Sequence, residues 1–199
     1  MKRLVRSMIT GLIITLVFTL VPFEGECREI SNNVFRVHIL ANSDSEEDQN
    51  LKLQVRDALI QRAEPLLNGV KTKEDAMKIV SENLELLQNT ASEVIYSQGF
   101  DYPVRLSVTN MYFTTRYYGD VTMPGGFYDA LRVEIGKAEG KNWWCVMYPS
   151  LCLYSDYSSS SMKEGLSDRQ YDIVTEGEDY VFRFKIVEIF TGLCNKLSK

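Results

Sequence analysis

The chain of 199 residues holds one histidine, His38, and four cysteines, Cys27, Cys145, Cys152 and Cys194. A single imidazole excludes any site that needs two, and it makes a zinc centre a poor fit. One nucleophile-and-base pairing is left: Cys145 attacking with His38 as general base, the chemistry of a cysteine hydrolase. The run Asn142-Trp143-Trp144-Cys145 places aromatics beside that sulfur. The competing role is a staple. Cys145 and Cys152 are seven positions apart around Tyr148-Pro149-Ser150, and a bend at the proline would close a disulfide. A sulfur so tied has no thiolate to attack with. Two buried free thiols are a third arrangement, and Cys27 and Cys194, near the two ends, can pair or stay free.

Asp44, Glu46, Glu47 and Asp48 form an acidic run. A calcium loop would need a central glycine and a bidentate Glu at its end, which this run lacks. Helix capping explains the acids better: Ser45-Glu46-Glu47-Asp48 follows the capping-box pattern with Asp at the third helical position. There is no glycine-rich phosphate loop, and no acid pair stands out for glycosidic cleavage. No metal and no cofactor are expected.

The elements that must position these residues follow from periodicity. Residues 34–40 alternate, with Phe35, Val37 and Ile39 on one face of a strand and Arg36 and His38 on the other. A helix begins near Glu46 with Leu51, Val55, Ala58, Leu59 and Leu66 as its stripe, stopped by Pro65 and Asn68-Gly69. Thr72 opens a second helix through Ala76, Ile79, Val80, Leu84, Leu87, Ala91, Val94 and Ile95, with a break expected near Asn89-Thr90 and Gly99 as its stop. Three alternating runs follow, from Val104, from Leu131 and from Asn142 to Tyr148. Trp143 and Trp144 are neighbours on the last of these, so they face opposite sides, one for the core and one for a cover or a partner. Residues 154–170, with Ser158 to Ser161, lose periodicity and read as a mobile surface loop. The tail from Glu178 reads as a helix. This order predicts an α+β fold: a mainly antiparallel sheet with a helical hairpin and a C-terminal helix packed on one face.

Residues 1–26 read as an export signal or signal anchor. Lys2, Arg3 and Arg6 precede an apolar stretch from Met8 to Val21, short for a spanning helix. Val21-Pro22-Phe23-Glu24-Gly25-Glu26-Cys27 offers no small-x-small cleavage tripeptide, so release and retention both stay open, and Glu26 spoils a lipobox at Cys27. Residues 28–199 form the single expected domain. Net charge is −5, and the domain beyond the basic leader is more acidic still. That repels phosphate backbones and anionic headgroups, excluding nucleic-acid binding and leaving the N-terminal segment as the expected membrane contact.

The residues His38-Ile39-Leu40-Ala41-Asn42-Ser43-Asp44-Ser45, then Asp48-Gln49, Leu51-Lys52 and Val55-Arg56-Asp57, resemble the N-terminal motif of the stage II sporulation protein R family. A second block carries the likeness further: Gly126, Tyr128, Ala130-Leu131-Arg132-Val133, Ile135-Gly136, Gly140, Asn142-Trp143-Trp144-Cys145-Val146, Tyr148-Pro149 and Leu151-Cys152. The resemblance implies a non-enzymatic signalling protein of endospore formation. It would be made in the forespore, exported to the space between forespore and mother-cell membranes, and would activate a membrane-embedded aspartic protease that processes pro-sigma-E. The family supplies no catalytic residues, so the expected partner contacts are His38, Asn42, Asp44 and Arg56 with Tyr128, Asn142, Trp143 and Trp144. Each could equally be a cap, a turn or core.

Overall fold

The computed structural model describes residues 2–151 and 159–197. In chain order these form α1 (Lys2–Asn33), β1 (Phe35–Leu40), α2 (Glu46–Leu67), α3 (Lys73–Glu82), α4 (Leu84–Ser97), β2 (Val104–Phe113), β3 (Arg116–Tyr118), β4 (Val121–Met123), β5 (Gly126–Ile135), β6 (Asn142–Tyr148), a 3-10 turn (Ser159–Glu164), α5 (Asp168–Thr175) and α6 (Gly177–Leu197). The main sheet runs β2-β5-β1-β6, and β3 and β4 make a separate ribbon. Two of the three main pairings are antiparallel. β1 and β5 are parallel, from Phe35 opposite Asp129 to Leu40 opposite Glu134. A parallel pair needs a long crossover, which α2 to α4 and β2 supply. The class is α+β, as expected.

The helices are not confined to one face. α2, α3 and α4 cover the side of β1 that carries Phe35, Val37 and Ile39, burying Leu51, Val55, Leu59, Val80, Leu87 and Ile95. The base of α1, with α5 and α6, covers the other side, burying Phe23, Ile30, Tyr128, Val146, Val174 and Phe184. This corrects the single-face expectation, and β1 gives the reason: all six of its residues are buried, Arg36 and His38 included, so both faces of the central strand require a cover.

Local chemistry sets the boundaries. Ser45 Oγ accepts from Asp48 N–H at 3.2 Å and Thr72 Oγ1 from Asp75 N–H at 3.1 Å, capping α2 and α3. α2 continues two residues past Pro65. The expected second helix is two, and its break lies at Asn83, not at Asn89-Thr90: Asn83 leaves helical geometry at φ −110° and donates from Nδ2 to Ile79 O at 2.8 Å. Thr90 stays helical, returning its hydroxyl to Leu86 O.

Part of the expected serine loop is built structure. Met162 and Leu166 are buried in the second core, and α5 opens with a capping box in which Ser167 and Gln170 exchange hydrogen bonds. The serines mask two apolar residues four apart; residues 152–158 lie outside the described residues. α1 crosses the expected domain boundary without a break. Phe23, Cys27 and Ile30 are buried, whereas Leu4, Val5, Met8, Ile9, Ile14, Phe18 and Val21 are exposed. Among the described residues no helix is long and apolar enough to cross a membrane.

Candidate functional site

The turn after β1 and the loop between β5 and β6 are locked together at one end of the sheet. Asn42 Oδ1 accepts from Lys137 N–H at 3.0 Å, and Asp44 Oδ1 accepts from Lys141 N–H at 2.6 Å. Gly140 N–H donates to Ala41 O at 2.9 Å. The two glycines of this loop are there because nothing larger fits. A Cβ on Gly136, at φ +59°, would lie 2.2 Å from Asn42 Oδ1, and one on Gly140 would lie 2.1 Å from Ser43 O.

Beneath this clasp Asp48 is buried and accepts from Asn42 Nδ2 at 2.8 Å and Ser43 Oγ at 2.5 Å. Burial pushes its pKa up, but the bonds from Ser43, Asn42, Tyr102 and Ser45 outweigh it and hold the carboxyl below its ordinary value. Lys52, one turn on, is also buried; its ammonium donates to Gln49 Oε1 at 2.7 Å and Lys141 O at 3.0 Å. Burial lowers its pKa, and the charge of Arg56 lowers it further. Sequence reasoning named Asp48 as a cap and quoted Asp48, Lys52, Gly136 and Gly140 in the family blocks, but placed none of them, nor Lys141, at the site. The paired glycines between two strands, beside an Asn-Ser-Asp turn, were the available signal.

Trp143 and Trp144 point to opposite sides, as the alternation requires. Trp143 lies on the α2 side, with the Arg56 guanidinium 5.3 Å from its ring. Trp144 stacks on His38 at 3.9 Å with an interplanar angle of 10°, meets Phe113 edge-on, and has Arg116 4.9 Å above its ring. Burial pushes the His38 pKa down to about 4; the Asn142 side chain opposes this, and Arg132 and Arg116 add to it. His38 is therefore a neutral core ring at physiological pH, held by aromatic stacking. Its neighbour Arg36 is fully buried among Phe113, at 4.1 Å, Tyr128 and Tyr118, and donates from Nη2 to Tyr118 Oη.

Of the expected contact residues, the structure gathers Asn42, Asp44 and Asn142 at the clasp, with Arg56 and Trp143 flanking it on the α2 side. Asp44 and Asn142 are exposed, and Arg56 and Trp143 are half-buried. His38 and Tyr128 do not belong to this surface. Tyr128 is fully buried and donates its hydroxyl to Pro124 O at 2.7 Å. Trp144 lies on the far face of the sheet. The hydrolase pairing also fails on geometry. Cys145 is opposite Val37 in the register and His38 is opposite Trp144, so sulfur and imidazole project from opposite faces. Cys145 is buried and disulfide-bonded; Cys152, its expected partner, lies outside the described residues. Among the described residues no group of three or more His, Cys, Asp or Glu side chains is placed to hold a metal. What the arrangement offers is a hydrogen-bonded polar rim flanked by one aromatic–guanidinium pair, Arg56 with Trp143.

Residues 31–158 match the family model described as Stage II sporulation protein R (spore_II_R). Over 135 residues the chain is 31% identical to the Stage II sporulation protein R of Bacillus subtilis (strain 168), an alignment covering 68% of this chain and 60% of that protein. The chain thus spans about 60% of the length of the curated relative it matches. No solved structure matches it.

Proposed function

Because this chain belongs to the stage II sporulation protein R family, we propose that it acts as an exported signal of endospore formation. In this reading it reaches the space between forespore and mother-cell membranes and switches on a membrane-embedded aspartic protease of the mother cell, which then removes the pro-sequence of pro-sigma-E. It does so as a ligand, by binding the active state of the protease more tightly than the inactive one. A differential affinity of about 3–5 kcal/mol converts a mostly inactive population to a mostly active one.

The observation that carries this reading is where the family's motif residues fall. From the two blocks, Asn42, Asp44 and Asp48 meet Gly136, Gly140 and Asn142 at the clasp, with Asp44 and Asn142 at the surface beside Arg56 and Trp143. An Arg over a Trp at the edge of a rigid rim is the composition of an interface hot spot. The competing reading, a Cys145–His38 hydrolase, loses support from the opposite orientation of the two side chains. The test is binding of the purified full chain to the protease in membranes, with Arg56→Glu and Trp143→Ala as probes. Each is expected to weaken binding at least about tenfold, ~1.4 kcal/mol, without unfolding the domain. Unchanged binding in both variants would remove the clasp rim from the interface, and no binding by the native chain would remove the reading altogether.

A further inference from the structure

α1 carries an exposed apolar segment directly into the domain with no linker between them. Among its described side chains the last exposed apolar residue is Val21 and the first buried one is Phe23. Phe23 stacks on Tyr180 of α6, with ring centroids 5.5 Å apart and planes 10° apart, and packs against Phe184 at 5.3 Å. One turn further along both helices, Cys27, Arg28 and Ser31 share a cavity with Val187. The two helices therefore run in the same direction, and the first turns of α6 lie level with the end of the apolar segment. At 1.5 Å per residue, the height of Phe23 is only about 3 Å beyond that of Val21.

At that level the domain shows an unusual surface. Phe182 is 75% exposed, on the side of α6 turned away from its core-facing Phe184, and Val181, at the margin of the helix's buried face, is 42% exposed. Phe18, Pro22, Tyr180 and Arg183 line a cleft beside them, with the Arg183 guanidinium 5.5 Å from the Tyr180 ring. Tyr180 is of the amphipathic aromatic type enriched at membrane–water interfaces, and the long Arg183 side chain beside it reaches toward headgroups.

We propose that this face, the base of α1 with the first turns of α6, docks on the lipid interface, with Val181 and Phe182 inserted among the headgroups. The proposal rests on the reading of residues 1–26 as an export segment retained as an anchor, and it adds a second membrane contact to the one expected from that segment. The helix runs on through Pro22 from the apolar segment into the domain, so if the apolar part of α1 sits in a bilayer, the first turns of α6 meet its surface. The charges here lean acidic, Arg169 and Arg183 against Glu26, Asp172 and Glu176, with Glu178 and Asp179 also in the first turn of α6, and Arg169 is already paired with Glu26 at 3.2 Å. Docking is therefore apolar insertion and does not require anionic lipid. It would hold the clasp rim at a fixed height above the membrane.

The test uses the full chain reconstituted in phosphatidylcholine vesicles, with a nitroxide attached in turn at Phe18→Cys, Phe182→Cys and Tyr96→Cys; the otherwise native chain supplies the background. The native Cys27 thiol is buried, its pKa pushed up to about 12 by burial and by Glu24 and Glu26, so it resists labelling. Tyr96, 75% exposed on α4, is the aqueous reference on the opposite side of the sheet. The oxygen-to-nickel-chelate accessibility ratio is expected to be severalfold higher at 182 than at 96, and highest at 18, with no change when anionic lipid is added. A lipid-like ratio at 18 with a water-like ratio at 182 overturns the docking face alone. Water-like ratios at both overturn the retained anchor and the docking face together.

Discussion

The clasp makes a sharp demand on Gly140. A methyl group there would stand 2.1 Å from Ser43 O, 2.5 Å from its carbonyl carbon and 3.0 Å from the Ala41 Cβ. Two of these three neighbours are backbone atoms of a turn fixed by three bonds: Gly140 N–H to Ala41 O at 2.9 Å, Glu139 N–H to Asn42 O at 3.3 Å and Lys141 N–H to Asp44 Oδ1 at 2.6 Å. Relief of the overlap must open the turn. Overpacking costs about 1–3 kcal/mol, and each hydrogen bond lost about 1 kcal/mol, so Gly140→Ala should destabilise by roughly 3–5 kcal/mol. For a chain of this size that lowers Tm by about 6–20 °C. Gly69→Ala is the control: Gly69 has φ +78° but open space around it, so it pays only the left-handed backbone strain of about 1–2 kcal/mol. Urea unfolding of both variants, followed by circular dichroism, measures the difference. If Gly140→Ala falls within about 1 kcal/mol of Gly69→Ala, the two loops are not interlocked as described.

Three further outcomes are expected. The His38 pKa is depressed from 6.5 to about 4 in the folded state, so the unfolded chain binds more protons between those values; stability is full above pH 6.5 and falls as pH drops toward 4. His38→Phe, which keeps the stack on Trp144, should flatten a stability–pH profile over that window and leave the loss at lower pH, where Asp48 and Asp129, both held below 3.8, take up protons. Phe23→Ala should cost about 3 kcal/mol in thermal unfolding, because the ring fills the seam between α1 and α6; a cost near zero would mean that the base of α1 is not part of the second core. The Cys145→Ser, Cys152→Ser double variant should lower stability by about 2–4 kcal/mol while pro-sigma-E processing persists in a sporulation assay; loss of processing in a variant that still folds would revive thiol chemistry.

The elements framing the clasp were legible because their signals are local. β6 begins and ends where alternation put it, β1 starts one residue later at Phe35 and ends as expected, and Ser45 and Thr72 cap the helices they precede. The clasp itself was half legible: Asn42, Asp44 and Asn142 stood out as polar residues at strand ends, but their partners lie almost a hundred residues away. Arg36 and His38 misled for the same reason. A polar residue at every second position signals a solvent face, and here that face is roofed by Phe113, Tyr118, Tyr128 and Trp144, which come from other strands. Burial of a guanidinium under aromatics is a tertiary fact with no local pattern. The division of helices between two faces was hidden likewise, since periodicity shows which side of a helix is apolar but not which side of the sheet receives it. Asn83, rather than Asn89, breaks the helical pair because its side chain recaptures a carbonyl of its own helix, a competition that composition does not reveal.

The most direct measurement places this chain, with and without residues 1–21, beside the protease and pro-sigma-E in cells that are not sporulating, and follows removal of the pro-sequence by immunoblot. The form lacking residues 1–21 keeps Phe23 and the buried base of α1, and in a parallel culture it is directed outward by an unrelated cleavable leader, which separates delivery from folding. Processing is expected whenever the chain is delivered outside the cytoplasm and absent when it is kept inside. Processing driven equally well by chain confined to the cytoplasm would contradict an exported ligand.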